Sequence, residues 1–457
     1  MRLFLHYVMQ LSFDTADWDI TAAYLHSVLN KPLYVRPPHG LERYDDQGNL
    51  LYMKLVKSLY GLRQSGHNWM NDLFDFLREY GMTQSPSDTS LWFHRDGPGN
   101  IDMVLFVHTD DGKLAYKTQE AREHFMRALR AKFNVGDETD GIDRIFNIKV
   151  IREPSRIKLT QKAYILDLAN NYNLEPNSRV TAPMTTGYRV ILKPELSPKD
   201  REAMRTRPFT SLLSALLWVA RCTRPDINLA LTVLARAASQ PDPSHWTELV
   251  KILKYLVNTI ERGIVIFANQ PDLLRCMTDA SHASDPVTMR SVSGVFVLVG
   301  RNIIDWYCRH QPYVTLHSGE AETLAASTGA TFLLYWIQLI EHMTQHRPYS
   351  ELLTDSTTAR NFLSTPLHTS KMRHINVKLF FVRELVKANM FRILHVAGLD
   401  NPPDLLTKPL SRDRIDHLLQ TLLAWGGAPP PPADTLKAVL PSLSSATDAS
   451  ASKRQRR

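Results

Sequence analysis

Apolar and polar positions divide the chain into stretches of different period. The sharpest short pattern is Met103-Val104-Leu105-Phe106-Val107, followed by His108, Thr109, Asp110, Asp111 and Gly112, after which Lys113-Leu114-Ala115-Tyr116 resumes. Asp-Gly between two strand-like runs predicts a β-hairpin with the paired acids at its tip. Upstream, Leu3 to Leu11 reads as a buried helix, and Asp19 lies before Ile20 to His26 at a strand-to-helix transition. Helical patterns dominate from about 158 to 260. Thr160 is placed to cap one helix, Phe209 to Ala220 form another, Pro225 opens a third, and Ser244 begins a fourth. In that last helix Trp246, Leu249, Val250, Leu253 and Leu256 recur at helical spacing. From about 271 the order becomes strand, strand, strand, helix, strand, helix, with a hairpin at Gly300 and a long helix from Glu320 to Met343.

Composition narrows the class. At 457 residues, 44% hydrophobic and 22% charged, the chain can hold two or three domains with separate cores. Of the net charge of +8, +3 belongs to the last 30 residues (five Lys and Arg against Asp434 and Asp448), leaving a modestly basic remainder of +5 that suits a nucleic-acid partner. Pro429 to Pro432 and the Ser/Ala-rich run ending in Lys453-Arg454-Gln455-Arg456-Arg457 predict a disordered basic tail. Cys222, Cys276 and Cys308 have neither zinc nor disulfide spacing, which points to a reducing cytoplasmic or nuclear setting. No uninterrupted apolar run reaches membrane-helix length, and the N-terminus lacks a signal-peptide pattern.

Acids carry the candidate chemistry. Two carboxylates beside an apolar strand carry a desolvation cost unless a cation compensates. Sites that hold two divalent ions roughly 3.5–4 Å apart need several converging carboxylates. Asp19 precedes Asp110 by 91 residues, so a shared site with Asp110 and Asp111 requires tertiary folding. A second set comprises Asp279, Glu322, Asp355 and Asp404. Any one of them alone is more often a cap or a surface charge than a ligand. The order Asp, Glu, Asp, Asp on strand, helix, strand and helix is the specific signal. The small residues Ala325, Ala326 and Gly329 beside Glu322 predict a face open to a bulky substrate. No Gly-rich phosphate loop, nucleophile elbow or His/Cys cluster accompanies these acids.

Between the first acids lies Lys57-Ser58-Leu59-Tyr60-Gly61-Leu62-Arg63-Gln64-Ser65-Gly66-His67-Asn68-Trp69. With Asp19-Ile20-Thr21-Ala22-Ala23-Tyr24-Leu25 before it and the Asp-Asp hairpin after it, the chain resembles the Pol polyprotein of copia-type retrotransposons, a reverse transcriptase with ribonuclease H. Thr-Arg-Pro-Asp-Ile at 223–227 and Asp404-Leu405-Leu406-Thr407-Lys408-Pro409 extend the likeness to about residue 425. The implied fold is α+β and multidomain: a reverse-transcriptase palm over 1–155 with incomplete fingers, a helical thumb and connection over 156–268, a ribonuclease H-like α/β domain over 269–425, and the tail over 426–457.

The resemblance implies two reactions. Asp19 and Asp110 would be the main metal ligands of the polymerase. Strand alternation turns Asp111 away from Asp110 into a secondary role. Tyr24 would be the aromatic gate that selects deoxynucleotides, and Arg63 and Gln64 would line the template or nucleotide side. Asp279, Glu322, Asp355 and Asp404 would be the ribonuclease H ligands, Glu322 being chosen over Glu320. The implied cofactor is magnesium, two ions per site, with manganese as a substitute. The implied partners are an RNA template, a DNA primer, an RNA–DNA hybrid and deoxynucleoside triphosphates, with no membrane, and with missing Pol segments or a second copy of the chain as further candidates. Departures are His108-Thr109 before the paired acids, Asn147 in place of a usual Gly, Asn376 in place of a usual Asp, and the closeness of Asp19 to the N-terminus. These suggest the alternative of a truncated, decayed element remnant that only binds nucleic acid.

Overall fold

The computed structural model describes residues 1–97, 99–174, 179–364 and 376–424; the tail expected over 426–457 lies outside the described residues. Two compact units emerge, one built mainly from residues 3–143 and 338–346, the other from 144–337 and from 347 onward.

The first unit contains α1 (Arg2–Gln10), β1 (Asp14–Ile20), β2 (Val28–Val35), β3 (Met53–Lys57), α2 (Ser65–Glu79), β4 (Thr83–Gln84), β5 (Leu91–Gly97), β6 (Asn100–His108), β7 (Asp111–Tyr116), α3 (Gln119–Lys132) and β8 (Val135–Asp140). Six strands form one sheet in the order β4-β5-β6-β7-β1-β8, and β2 and β3 pair as a separate ribbon. Alternation sorts the two faces of that sheet. Ala16, Trp18 and Ile20 of β1 join Leu105, Val107 and Leu114 in a core closed by Trp69, Leu73 and Phe76 of α2 and Phe125, Met126 and Leu129 of α3. Asp17 and Asp19 project from the other side of β1. Phe106, out of phase with Leu105 and Val107, lies 6.1 Å from Phe4 of α1 between ring centroids.

The β6–β7 hairpin forms, but its turn is not the Asp-Gly pair. His108 pairs with Asp111, and Thr109 and Asp110 make the turn, with Thr109 in the left-handed region at φ 57°. Gly112 is an ordinary strand residue of β7. A Cβ there would lie 2.0 Å from Cζ2 of Trp18, its register partner on β1. The glycine is needed because an indole packs flat over the strand.

The second unit begins with β9 (Arg144–Ile145), β10 (Ile148–Glu153) and β11 (Arg156–Thr160), followed by α4 (Lys162–Asn171), α5 (Pro198–Met204), α6 (Phe209–Cys222), α7 (Asn228–Leu234), α8 (Pro243–Asn258) and β12 (Ile264–Phe267). The strands form a sheet in the order β12-β11-β10-β9. A boundary at 155 therefore falls inside the β10–β11 hairpin, where Glu153 pairs with Arg156, and the units divide at 143/144 instead. Asn147 sits at φ 61° in the tight β9–β10 turn, a conformation that Asn adopts in place of Gly at modest cost. α8 starts one residue before Ser244, with Asp242 as its cap in a capping box with His245. Leu212, Leu216, Leu231, Leu249, Leu253 and Tyr255 bury these helices against one another.

The remaining elements are β13 (Leu273–Ser281), β14 (Val292–Val299), β15 (Asn302–His310), α9 (Ser318–Thr344), β16 (Tyr349–Thr354), α10 (Thr357–Ser364), α11 (Asn376–Lys387), β17 (Arg392–His395) and α12 (Arg412–Ala424). The sheet order is β15-β14-β13-β16-β17, with β13, β14 and β15 antiparallel and β13, β16 and β17 parallel. Three antiparallel strands, a crossover helix and parallel strands added at the far edge make this a ribonuclease H-like fold. Strand β17 is not legible in the sequence, because three of its four residues are exposed and leave little periodicity.

The small face of α9 is closed rather than open. A Cβ on Gly329 would lie 2.4 Å from Cγ2 of Thr278 and 3.0 Å from Sγ of Cys276, and Ala325 and Ala326 are buried. Small residues let the helix approach β13, which corrects the expectation of a substrate face and places Glu322 over the sheet.

Gly112→Ala should destabilise the first unit by about 3 kcal/mol, the upper range for forcing an atom into a packed core. Urea unfolding followed by tryptophan fluorescence measures this, and an unchanged midpoint would contradict the packing described.

Candidate active sites

In the first unit, backbone pairing gathers the acids. Asp19 on β1 is the register partner of Asp111 on β7, and the Ile20 amide donates to the Asp110 carbonyl at 3.0 Å. Directly opposed residues of antiparallel strands share a face with Cα atoms about 4.5–5.5 Å apart. Asp111 is thus on the same face as Asp19, and Asp110 sits at the turn itself. The Trp69 indole of α2 donates to the Thr109 carbonyl at 2.6 Å and pins that turn.

The Asp19 carboxyl is held above its usual range by burial, then by the charges of Asp110, Asp111 and Asp137. Asp137, on β8, was not singled out from the sequence because Val135–Asp140 is mostly polar and acidic. A close backbone approach brings it in: a Cβ on Gly136 would lie 3.4 Å from Oδ2 of Asp19. The nearest cation on this face is Lys113, ion-paired with Asp17 across the β1–β7 register. Its charge offsets part of the upward push on Asp19.

The long central motif lies against this cluster. Tyr24, in a 3-10 turn at Ala23–His26, stacks on Tyr60 with ring centroids 4.6 Å apart. The Tyr60 phenol is pushed up by burial, then by Asp110, Tyr24 and Asp19. Gln64 stands at the start of α2 and Arg63 is exposed just before it. Among the described residues, neither side chain is hydrogen-bonded to an acid of the cluster.

In the second unit, parallel pairing of Thr278 with Thr354 sets Asp279 beside Asp355, one residue further along each strand. α9 brings Glu322 above them. Asp279, Glu322 and Asp355 each offer an oxygen, and these oxygens lie within 4.8 Å of one another. Glu320 instead turns back to accept from the Leu316 amide at 2.7 Å. The Glu322 carboxyl is pushed up to about 9 by burial, then by Asp279 and Asp355. Asp279 is pushed up to about 6 by burial, with Lys408 opposing and Asp404 adding. Asp355 is also raised, chiefly by burial. Among the described residues, Oε2 of Glu322 is buried with no hydrogen-bond partner. Converging carboxylates around an orphaned buried oxygen suit a hard divalent cation such as magnesium or manganese.

Asp404 lies in a 3-10 turn at Pro402–Leu406 and stands outside the converging three. Its Oδ1 accepts from Nζ of Lys408 at 2.6 Å and its Oδ2 from Arg414 at 3.2 Å. Asp279 accepts from the Thr407 hydroxyl on Oδ2 and from Lys408 at 3.3 Å on Oδ1. Thr407, Lys408 and Arg414 belong to the site without being marked in the sequence, because polar residues beside an acid carry no distinguishing spacing.

Residues 1–186 match the family described as reverse transcriptase (RNA-dependent DNA polymerase). The Pol polyprotein from transposon TNT 1-94 of Nicotiana tabacum is 25% identical over 419 residues, 91% of this chain and 31% of that protein. The Pol polyprotein from transposon RE2 of Arabidopsis thaliana is 28% identical over 415 residues, 90% of this chain and 28% of that protein. Residues 1–186 thus form a reverse transcriptase domain, and about nine-tenths of the chain is similar to copia-type Pol polyproteins. It spans about three-tenths of the length of these curated Pol relatives. The foamy viral protease-reverse transcriptase, solved with an RNA/DNA hybrid, shares its fold at a TM-score of 0.50 with 11% identity, over 89% of this chain and 47% of that one.

The raised carboxyls make metal-free stability pH dependent. Folding raises Glu322 from its ordinary 4.5 to about 9, so the folded state retains a proton that the unfolded chain releases. This contribution is fully present below the unfolded value and is lost as pH climbs toward the folded one. Melting in EDTA should therefore fall between pH 5 and about 9, and Glu322→Gln should flatten the slope and melt higher than wild type at pH 8. Equal slopes by calorimetry would contradict the burial of that carboxyl.

Proposed function

We propose that the chain joins two magnesium-dependent phosphoryl-transfer activities, RNA-directed DNA synthesis in the first unit and RNA–DNA hybrid cleavage in the second. The convergence of Asp279, Glu322 and Asp355 within 4.8 Å around a buried, unpartnered Glu322 oxygen supports it most directly. The register pairing of Asp19 with Asp111 supports the polymerase half.

Divalent ions bound at such carboxylates activate the attacking oxygen and neutralise charge on the phosphate and leaving group. The remaining work falls to the protein. Asp19, Asp110 and Asp111 define where a primer terminus and a triphosphate meet, at the turn end of the β6–β7 hairpin. Tyr24, braced by Tyr60, supplies a ring against which a ribose 2′-hydroxyl would collide. Arg63 and Gln64, at the start of α2, would meet the template or nucleotide phosphates. In the second unit Asp279 and Asp355, from two parallel strands, and Glu322, from α9, would hold the cation. Asp404 adds charge from the side and orients Lys408. The substrates so implied are a primed RNA template with deoxynucleoside triphosphates, and an RNA–DNA hybrid.

A purified preparation given magnesium, a primed RNA template and a labelled RNA–DNA hybrid should extend the first and cleave the second. Asp110→Asn should remove extension at least about 100-fold and spare cleavage, whereas Asp279→Asn should do the reverse. Binding of both substrates with neither reaction would instead support a nucleic-acid binder, the outcome that the altered His108-Thr109 segment favours.

A further inference from the structure

The four acids of the second unit do not share their charge evenly. Asp279, Glu322 and Asp355 converge, while Asp404 is joined to Asp279 through a single ammonium, Nζ of Lys408, at 2.6 Å from one and 3.3 Å from the other. Each of these two carboxylates divides its oxygens in the same way. On Asp279, Oδ2 takes the Thr407 hydroxyl and Oδ1 faces Lys408. On Asp404, Oδ2 takes Arg414, and Oδ1 faces Lys408. Arg414 is itself anchored by the carbonyls of Gly398 and Leu399. One oxygen of each acid thus has a built-in donor from a fixed group, and the other meets a cation on a flexible stem.

Lys408 differs from those fixed donors in its freedom. Its side chain keeps 40% of its exposure, against 8% for Asp404 and 1% for Asp279. A lysine carries its charge on a four-carbon stem with rotatable donors, so it can leave a position without disturbing the backbone. Asp404 would keep Arg414 and Asp279 would keep Thr407 when it left, so neither acid would be stranded.

We propose that the Lys408 ammonium occupies the second cation position of this quartet, between Asp279 and Asp404, and is a positioning residue that yields that position to a second divalent ion. The proposal rests on the metal reading given above and adds an order of loading. The position formed by Asp279, Glu322 and Asp355 is open to a first ion, and the one held by Lys408 fills only at higher concentration. Lys408 keeps the acids aligned in the meantime.

Counting bound manganese by electron paramagnetic resonance on the full chain tests this without any turnover. Because the first unit also holds acids, Asp19→Asn/Asp110→Asn is the background for every variant. Lys408→Met should bind the second manganese of the quartet about tenfold more tightly than the parent, within the range found for groups that surround metal ligands. Its melting temperature should fall in EDTA and recover in excess manganese. Lys408→Gln, which retains a donor for Asp404 without the charge, should give the same result in a milder background, and Lys408→Arg should resemble the parent. One ion bound with unchanged affinities in Lys408→Met and Lys408→Gln would overturn the role of Lys408 while leaving the first position standing. Absence of manganese binding in parent and variants alike would overturn both this proposal and the metal reading beneath it.

Discussion

Carboxylates crowded beside a hydrophobic sheet repel one another, and their neighbours must hold them in place against that repulsion. Burial and like charge both favour the protonated form, so such clusters persist only where backbone geometry leaves the side chains no retreat. Strand register provides that constraint in both units. Antiparallel pairing sets Asp19 opposite Asp111, and parallel pairing carries Asp279 and Asp355 off adjacent strands side by side. Each sheet is held by tight packing on its apolar side: Trp18 over Gly112 in one unit, Gly329 against Thr278 and Cys276 in the other.

The two units answer the same electrostatic problem differently. In the first, Lys113 is tied to Asp17 one step along the sheet, so its charge is felt at Asp19 without occupying the cluster. In the second, Lys408 sits between two of the acids and takes part in the cluster directly. A raised carboxyl such as Glu322 marks where compensation is incomplete and a cation would be most strongly favoured.

Much of this was legible in the sequence where the signal was long or chemically unusual. The Lys57–Trp69 motif, the paired acids after an apolar strand and the spaced Asp-Glu-Asp-Asp order each survive reading without a structure, because they combine residue type with a defined element. Helices near 162–171, 209–222 and 243–258 and the long helix over Glu322 were legible too, whereas α5 (Pro198–Met204) was not. Short-range patterns misled where packing, rather than the turn or the substrate, selected the residue. Gly112 follows an Asp yet serves Trp18, and Ala325, Ala326 and Gly329 are small because a sheet lies against them. Asp137, Lys408 and Arg414 were missed for a related reason: their importance comes from tertiary neighbours, and nothing in their local sequence announces those neighbours.

The central claim is that acids remote in sequence form two separate cation-binding centres. Anomalous diffraction from crystals soaked in manganese addresses it directly. Peaks within coordination distance of Asp19, Asp110 and Asp111, and of Asp279, Glu322 and Asp355, are the predicted result. A map with no peak at either cluster, in crystals whose acids keep the positions described, would contradict it.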